Sequence, residues 1–277
     1  MSLTPSNAIT LIMVETEHHD LARITLEHWT RRMRFADVIT FSDQPLLKGA
    51  THVPIAPIAD ERAYAELLIH SVRPFVKTEH TIHISWDTLL RDQGNWDSNF
   101  FNYDYIGQMW PWQAPVASNM DHCGISWRSA KMLEALRYPT VEPVFDDTPD
   151  YHSLNLQNVL RTKFKLVYGD LAMYRKLCLE YDYDDDHQSF AVRGVANIID
   201  AMDRSISEQY VIKCPESVTN DLRSMHYVVA SLVNHRWLDL LEYLAPKIKA
   251  GSAHADLVNW ISQENFEGRD SVLDILE

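Results

Sequence analysis

The stretch Glu79–Leu90, EHTIHISWDTLL, decides how this chain is read. Thr81 and His83 alternate with Ile82 and Ile84, which is the period of a strand, and Ile82 and Ile84 suit a buried position. The run then ends in Trp86 and a lone carboxylate, Asp87. A carboxylate is rarely buried without a partner. Asp87 therefore either closes a local turn as an Asx-turn or helix cap or it holds a ligand. In open α/β sheets ligands are met outside the carboxyl ends of the strands. The alternation also places Asp87 on the same face as Thr81 and His83.

Working outward, strand-like and helix-like segments alternate through the first part of the chain. The spacing predicts a strand at Ala8–Val14, AITLIMV, and a helix in HHDLARITLEHWTRRMRF, where Leu21, Ile24, His28 and Trp29 fall near helical spacing. ADVITFSD reads as a second strand. THVPIAPI reads as a third, at an edge because of its prolines. Asp60 is placed to cap ERAYAELLIHSV, and Ser129 to cap AKMLEALR. YDYIG and CGISW are short strands. Such alternation implies an α/β domain with a largely parallel sheet. After about residue 205 the signals become helical, in LRSMHYVVASLVNHRWLDLLEYLAPKI, SAHADLVNWISQE and SVLDILE. Two regions are expected: an α/β domain over 1–205 and a helical C-terminal extension over 206–277 that packs on it.

The chain has 277 residues, 46% apolar and 23% charged, enough for a sizeable core. No run reaches the ~18 uncharged apolar residues of a membrane span, and the start lacks a signal-peptide pattern, so a cytoplasmic protein is expected. The formal net charge of −14 disfavours broad attraction to nucleic acid or anionic membrane. Cys123, Cys178 and Cys214 are far apart and imply neither a disulfide framework nor a cysteine zinc site; they read as core thiols. EHHD at Glu17–Asp20 and EHTIH at Glu79–His83 lack the spacing of a zinc protease, and the first reads as a helix start. Neither a Walker loop nor a G-x-G-x-x-G is present, which counts against a nucleoside triphosphatase or a dehydrogenase.

The segment HISWDTLLRDQGNWDSNFFNYDYIGQMWPW resembles the core of a glycosyltransferase-like family of bacteria and their viruses, whose members read approximately Q-x-D-G-F-V, then W, then F-x-x-Y-D-Y-I-G-A-P-W. NYDYIGQMW at Asn102–Trp110 is its most specific part. HCGISWRS (His122–Ser129) stands where the family has N-G-G-F-S-L-R-S, and FAVRGVAN (Phe190–Asn197) where it has F-G-F-H-G-x-x-N. FADVITFSD resembles the family's second strand, so the likeness runs in order over roughly residues 8 to 200. It implies the glycosyltransferase A fold, a Rossmann-like, mostly parallel sheet flanked by helices, and transfer of a hexose or pentose from a nucleotide sugar to an acceptor hydroxyl.

The resemblance implies roles residue by residue. Asp87, with Trp86 beside it, belongs at the donor's metal or ribose. Asp43 contacts base or ribose, unless it caps a helix. Arg128 offers a planar fork to phosphate or to a neighbouring carboxylate, with the structural role favoured. Tyr103, Tyr105, Trp110 and Trp112 form either core or a stacking wall, core being the commoner outcome; Trp110, Trp112 and His122 are the candidates for the acceptor or sugar pocket. Asp150, then Asp147 and Asp121, are the candidates for the general base.

Departures from the family pattern matter too. Thr88 replaces a Gly, Ser85 a Gln, His122 an Asn and Cys123 a Gly. Arg193 replaces a His that could bind metal. An arginine there either neutralises the diphosphate itself, or a divalent cation (Mn or Mg) is held by Asp87 with His187, or with the acids of YDYDDDHQ, where Asp182 and Asp184 make a formal D-x-D. Two rivals stand beside a sugar-nucleotide transferase acting on a glycan. One is a transferase for hydroxylated bases of phage DNA, using arginines such as Arg31, Arg32 and Arg34. The other is a binding or scaffold protein with a decayed site.

Overall fold

A computed structural model of the chain describes residues 8–109, 120–138, 154–179 and 188–277, with the backbone alone at 61, 65, 108–109, 120–123 and 154–158. The first elements follow the pattern in the sequence. Strand β1 (Ile9–Val14) is buried along its whole length, as a strand covered on both faces must be. It leads into α1 (His19–Arg32), β2 (Asp37–Ser42) and β3 (Thr51–Pro54). Helix α2 (Glu61–His70) is capped by Asp60, which accepts from the Ala63 N–H at 2.8 Å. Next come β4 (His80–Ile84), β5 (Thr88–Leu90), β6 (Tyr105–Met109) and β7 (Met120–Ser129). Ser129 caps α3 (Ala130–Leu136) by accepting from the Met132 N–H at 2.9 Å. Helices α4 (Leu154–Lys163) and α5 (Leu171–Leu177) and strands β8 (Cys178–Leu179) and β9 (Ala191–Arg193) complete the first compact unit, which ends at Arg193.

The main sheet has the order β3-β2-β1-β4-β7-β6. Strands β1 to β4 are parallel, while β7 is antiparallel to both β4 and β6. This is the mixed, mostly parallel α/β sheet expected from the sequence, with β3 at an edge where Pro54 leaves no interior ladder bond unmade. Connections from β1 to β3 step one way, and β4 then returns to the other side of β1. The order therefore reverses between β1 and β4, the point in such sheets outside whose strand ends ligands are usually met.

Helix α1 lies on one face, packing Ala22, Leu26 and Trp29 with Leu11, Met13, Ile82, Ile84, Ile106 and Trp127. The other face meets α2 and α3 through Leu68, Ile69, Met132, Leu133 and Leu136. Trp127 is the centre of an aromatic layer: it stacks on His80 with centroids 4.8 Å apart and meets Phe101 edge-on at 5.2 Å. Trp96, Phe100 and Phe190 continue that layer. Among the described residues of this segment, Trp96, Phe100, Phe101 and Tyr103 pack into this core, and Tyr105 is 0% exposed.

A second sheet of three strands has the order β5-β9-β8. It is fixed to α1 by side chains that reach backbone carbonyls at every second residue. Thr25 Oγ1 donates to Trp86 O, Trp29 Nε1 to Thr88 O at 2.8 Å, and His28 Nε2 to Leu90 O at 2.7 Å. A helix face with i, i+3 and i+4 spacing here matches the two-residue repeat of an extended chain.

Gly194–Glu277 forms the second compact unit. It contains helices α6 (Val195–Ala201), α7 (Arg204–Ile212), α8 (Glu216–Thr219), α9 (Leu222–Asn234), α10 (Leu238–Ala250), α11 (His254–Gln263) and α12 (Arg269–Leu276). Its start precedes the expected boundary at 206, because Val195, Ile198 and Ile199 of VANIID are buried helix residues rather than part of the sheet domain. Cys178 and Cys214 are core thiols, and burial pushes the Cys214 thiol up to about 12.

Two consequences can be measured. Gly107 lies under the ring of Tyr105: a Cβ at 107 would stand 2.1 Å from the tyrosine Oη and 2.4 Å from Cζ. Glycine in this strand makes room for a neighbouring ring. Gly107→Ala should therefore lower the urea unfolding midpoint by the equivalent of ~1–3 kcal/mol, the usual cost of overpacking; an unchanged midpoint would contradict this packing. Second, His83 is 2% exposed and bonds Thr81 Oγ1 through Nε2 at 3.1 Å, while its Nδ1 has no partner. Burial, and then the Arg128 charge, hold its pKa well below the usual 6.5. The unfolded chain takes up this proton before the native one does, so stability is full above 6.5 and declines as pH falls below it. His83→Gln should lose less stability than the unmutated protein between pH 7.5 and 5.5; equal losses would remove His83 from the linkage.

Candidate functional site

The carboxyl ends of β1, β2 and β4 bring together residues distant in sequence. After β1, Glu15 turns back, and its Oε1 accepts from the N–H groups of Glu17 and His18 at 2.7 and 2.9 Å. This carboxylate, rather than a side chain of EHHD, satisfies the start of α1, whose N-cap His18 makes no side-chain cap bond. The two histidines are thereby released for other contacts. His19 Nε2 lies 2.6 Å from Asp43 Oδ1, just past the end of β2. That bond is the largest influence on Asp43 and holds its carboxyl below the ordinary carboxylate value. Asp43 is thus an ionised partner of His19 and not a helix cap. His18 meets Trp86 edge-on, centroids 5.1 Å apart, so the segments after β1 and β4 touch each other.

Asp87 follows Trp86 in the tight turn between β4 and β5. Ser85 Oγ donates to Asp87 Oδ1 and also lies 2.9 Å from Thr88 Oγ1. The antiparallel register of β5 and β9 sets Thr88 opposite Arg193. Arg193 Nε consequently stands 3.4 Å from Asp87 Oδ2, and the two side chains are 15% and 14% exposed. The pair is mostly screened from solvent but not sealed, where an ion pair is stronger than on an open surface. The structure therefore unites Asp87, Arg193 and Trp86, which are far apart or unremarkable in sequence, and sets the Asp43–His19 pair on the neighbouring strand ends.

Other candidates fall elsewhere. Arg128 is 2% exposed and pairs across the strands with Thr81 near the start of β4, while Asp87 lies beyond its end. Its Nε donates to Ser126 Oγ at 3.0 Å and its guanidinium lies 5.8 Å from the Tyr105 ring centroid. These contacts tie its side chain into the sheet. Thr81 and His83 do share a face, but the strand ends at Ile84 and the turn takes Asp87 off that alternation. Asp121 and His122 lie in β7 with only their backbone described, and Trp110, Trp112, Asp147, Asp150, Asp182, Asp184 and His187 lie outside the described residues. Arg31 pairs with Glu27 at 2.6 Å and Arg32 donates to His28 Nδ1 at 3.0 Å, so these arginines serve α1 itself.

The donor set can be tested against a divalent cation. Mn or Mg needs several hard oxygen or nitrogen ligands around one point. Among the described residues no three His, Cys, Asp or Glu side chains stand together in that way. Asp87 Oδ1 already accepts from Ser85 Oγ and from Arg193 Nε at 3.5 Å, and that Nε also lies 3.4 Å from Oδ2. The described donors do not fit a divalent ion. Among the described residues no helix is long and apolar enough to cross a membrane.

The missed residues were Glu15, His18 and His19. Their signal was their position directly after the first strand of the sheet, where a turn residue is a site candidate before it is a helix cap.

No protein-family model matches the chain, and no curated protein matches it. Among solved structures it is similar to a glycosyltransferase involved in glycosylation of the major capsid of PBCV-1. That likeness has 14% identity over 73% of this chain and 98% of the other, with a TM-score of 0.43. The apo glycosyltransferase GlyE of Streptococcus pneumoniae TIGR4 shares 10% identity over 75% of this chain, which spans 51% of GlyE, with a TM-score of 0.40. The galactosyltransferase LgtC, solved with donor and acceptor sugar analogues, shares 8% identity over 66% of this chain and 86% of its own, with a TM-score of 0.43. No residue role is taken from these likenesses.

Proposed function

We propose that this protein transfers a sugar from a nucleotide-sugar donor to an acceptor hydroxyl, with the donor seated in the crevice outside β1 and β4. The observation that carries this reading is the Asp87–Arg193 pair at the carboxyl end of β4, beside Trp86 and His18. It stands at the point where strand order reverses, the usual place for a nucleotide in such sheets. The ordered likeness of HISWDTLL, NYDYIGQMW and FAVRGVAN to a glycosyltransferase-like family supports the same assignment.

In this reading the nucleoside lies toward Asp43 and His19. The Asp43 carboxylate, ionised and held by His19, accepts from ribose hydroxyls or a base N–H. The diphosphate lies toward Arg193. During transfer the bond from the anomeric carbon to the diphosphate oxygen breaks, and the bond from the acceptor oxygen forms. The acceptor proton passes to a carboxylate, for which Asp150 remains the first candidate, with Asp121 behind it. Negative charge grows on the departing diphosphate, and a preorganised cation beside it stabilises that state more than the ground state. Asp87 keeps the guanidinium oriented and offers its remaining lone pairs to a hydroxyl of the donor.

The test is donor hydrolysis with a panel of nucleotide sugars, following release of nucleoside diphosphate. At least one donor should turn over, and Asp87→Asn should reduce the rate by about tenfold or more, the loss expected for a charge-assisted contact. Nucleotide binding without turnover of any donor would favour the binding protein with a decayed site, and absence of both would favour the scaffold.

A further inference from the structure

We infer that the donor site binds its nucleoside diphosphate without a divalent cation, the Arg193 guanidinium standing where the cation would be held. The inference rests on the proposed transferase reading and specifies how that site meets charge. Three observations carry it. The register of β5 against β9 places Arg193 directly opposite Thr88, so its position is built into a ladder rather than into a mobile loop. Its Nε lies 3.4 Å from Asp87 Oδ2 and 3.5 Å from Oδ1, facing both carboxylate oxygens. The other Asp87 oxygen is already an acceptor for Ser85 Oγ.

A carboxylate that faces a guanidinium gives little to a divalent ion, because cation and guanidinium repel each other at this separation. Among the described residues no cluster of metal-type ligands stands beside the pair, so an ion held by these residues alone would require dismantling it. An arginine can do the ion's electrostatic work toward a diphosphate: it keeps its charge at any working pH and presents several N–H donors in one plane to phosphate oxygens. Asp87 then positions Arg193 rather than ligating a metal. Such a site is also insensitive to competition among divalent ions, which an octahedral Mg site is not.

The experiment is calorimetric titration of the full chain with uridine, guanosine, adenosine, cytidine and thymidine diphosphates, each in excess EDTA and again with manganese. At least one diphosphate should bind in EDTA, with manganese tightening it by no more than about threefold, the scale of general charge screening. Arg193→Ala should weaken that binding about tenfold or more, the loss of a charge-assisted contact, at a retained near-ultraviolet circular dichroism spectrum. Where Arg193→Ala does not fold, Arg193→Gln keeps the shape and should show the same loss. Binding that requires manganese, manganese tightening beyond that limit, or undiminished binding by the neutral variants would overturn the inference while leaving the transferase reading intact. Failure of every diphosphate to bind under both conditions would bring down the transferase reading itself, and this inference with it.

Discussion

The three hydrogen bonds from α1 to the backbone of residues 86–90 are the constraint on which the candidate site depends. A short strand such as β5 has too few ladder bonds to hold itself in place. Thr25, His28 and Trp29 give it a second set of partners on a helix that is itself packed on the main sheet. Because the contacted carbonyls alternate along the chain, the helix fixes the register of β5. That register fixes β9, and β9 fixes Arg193. Buried carbonyls that lost these donors would be left unsatisfied at a cost of ~1–3 kcal/mol each. The geometry of the Asp87–Arg193 pair is thus set in part by residues of α1 that hold the backbone on either side of Asp87.

This arrangement also accounts for what the sequence could and could not disclose. The strands β1, β2 and β4, the helices α1, α2 and α3 and the caps Asp60 and Ser129 are local patterns, and they stand where periodicity and cap chemistry place them. Asp87 was legible because a lone carboxylate closely follows a buried strand. Arg193 was noticed only through the family pattern, and nothing in the sequence states that it lies beside Asp87; that follows from a pairing between segments far apart in the chain. Thr25 and His28 look like polar interruptions of an apolar stripe until their acceptors are seen. The direction of β7 is likewise not written in its residues, since a short apolar strand pairs either way. The boundary at Gly194 was missed because a buried helix following a strand carries no linker signal.

Electrostatics ties these elements to function. A chain with a formal charge of −14 binds a phosphorylated donor only where positive charge is concentrated and shielded from solvent. Arg193 is mostly screened and held by the Asp87 carboxylate, while Arg31 and Arg32 are engaged by Glu27 and His28 on α1. The second basic feature, Arg128, illustrates the contrast: it is buried away from the crevice and its field acts on His83 instead. In the proposed reading, Arg193 beside the turn after β4 and an ionised Asp43 at the end of β2 would hold opposite ends of a nucleoside diphosphate.

The most direct measurement of this account is hydrogen–deuterium exchange of the full chain with and without saturating nucleoside diphosphate. The account predicts slowed exchange in peptides covering residues 15–19, 42–44 and 85–92, since the ligand would rest on the turns after β1, β2 and β4. Protection confined to helices α9 to α11, with those turns unchanged, would contradict it.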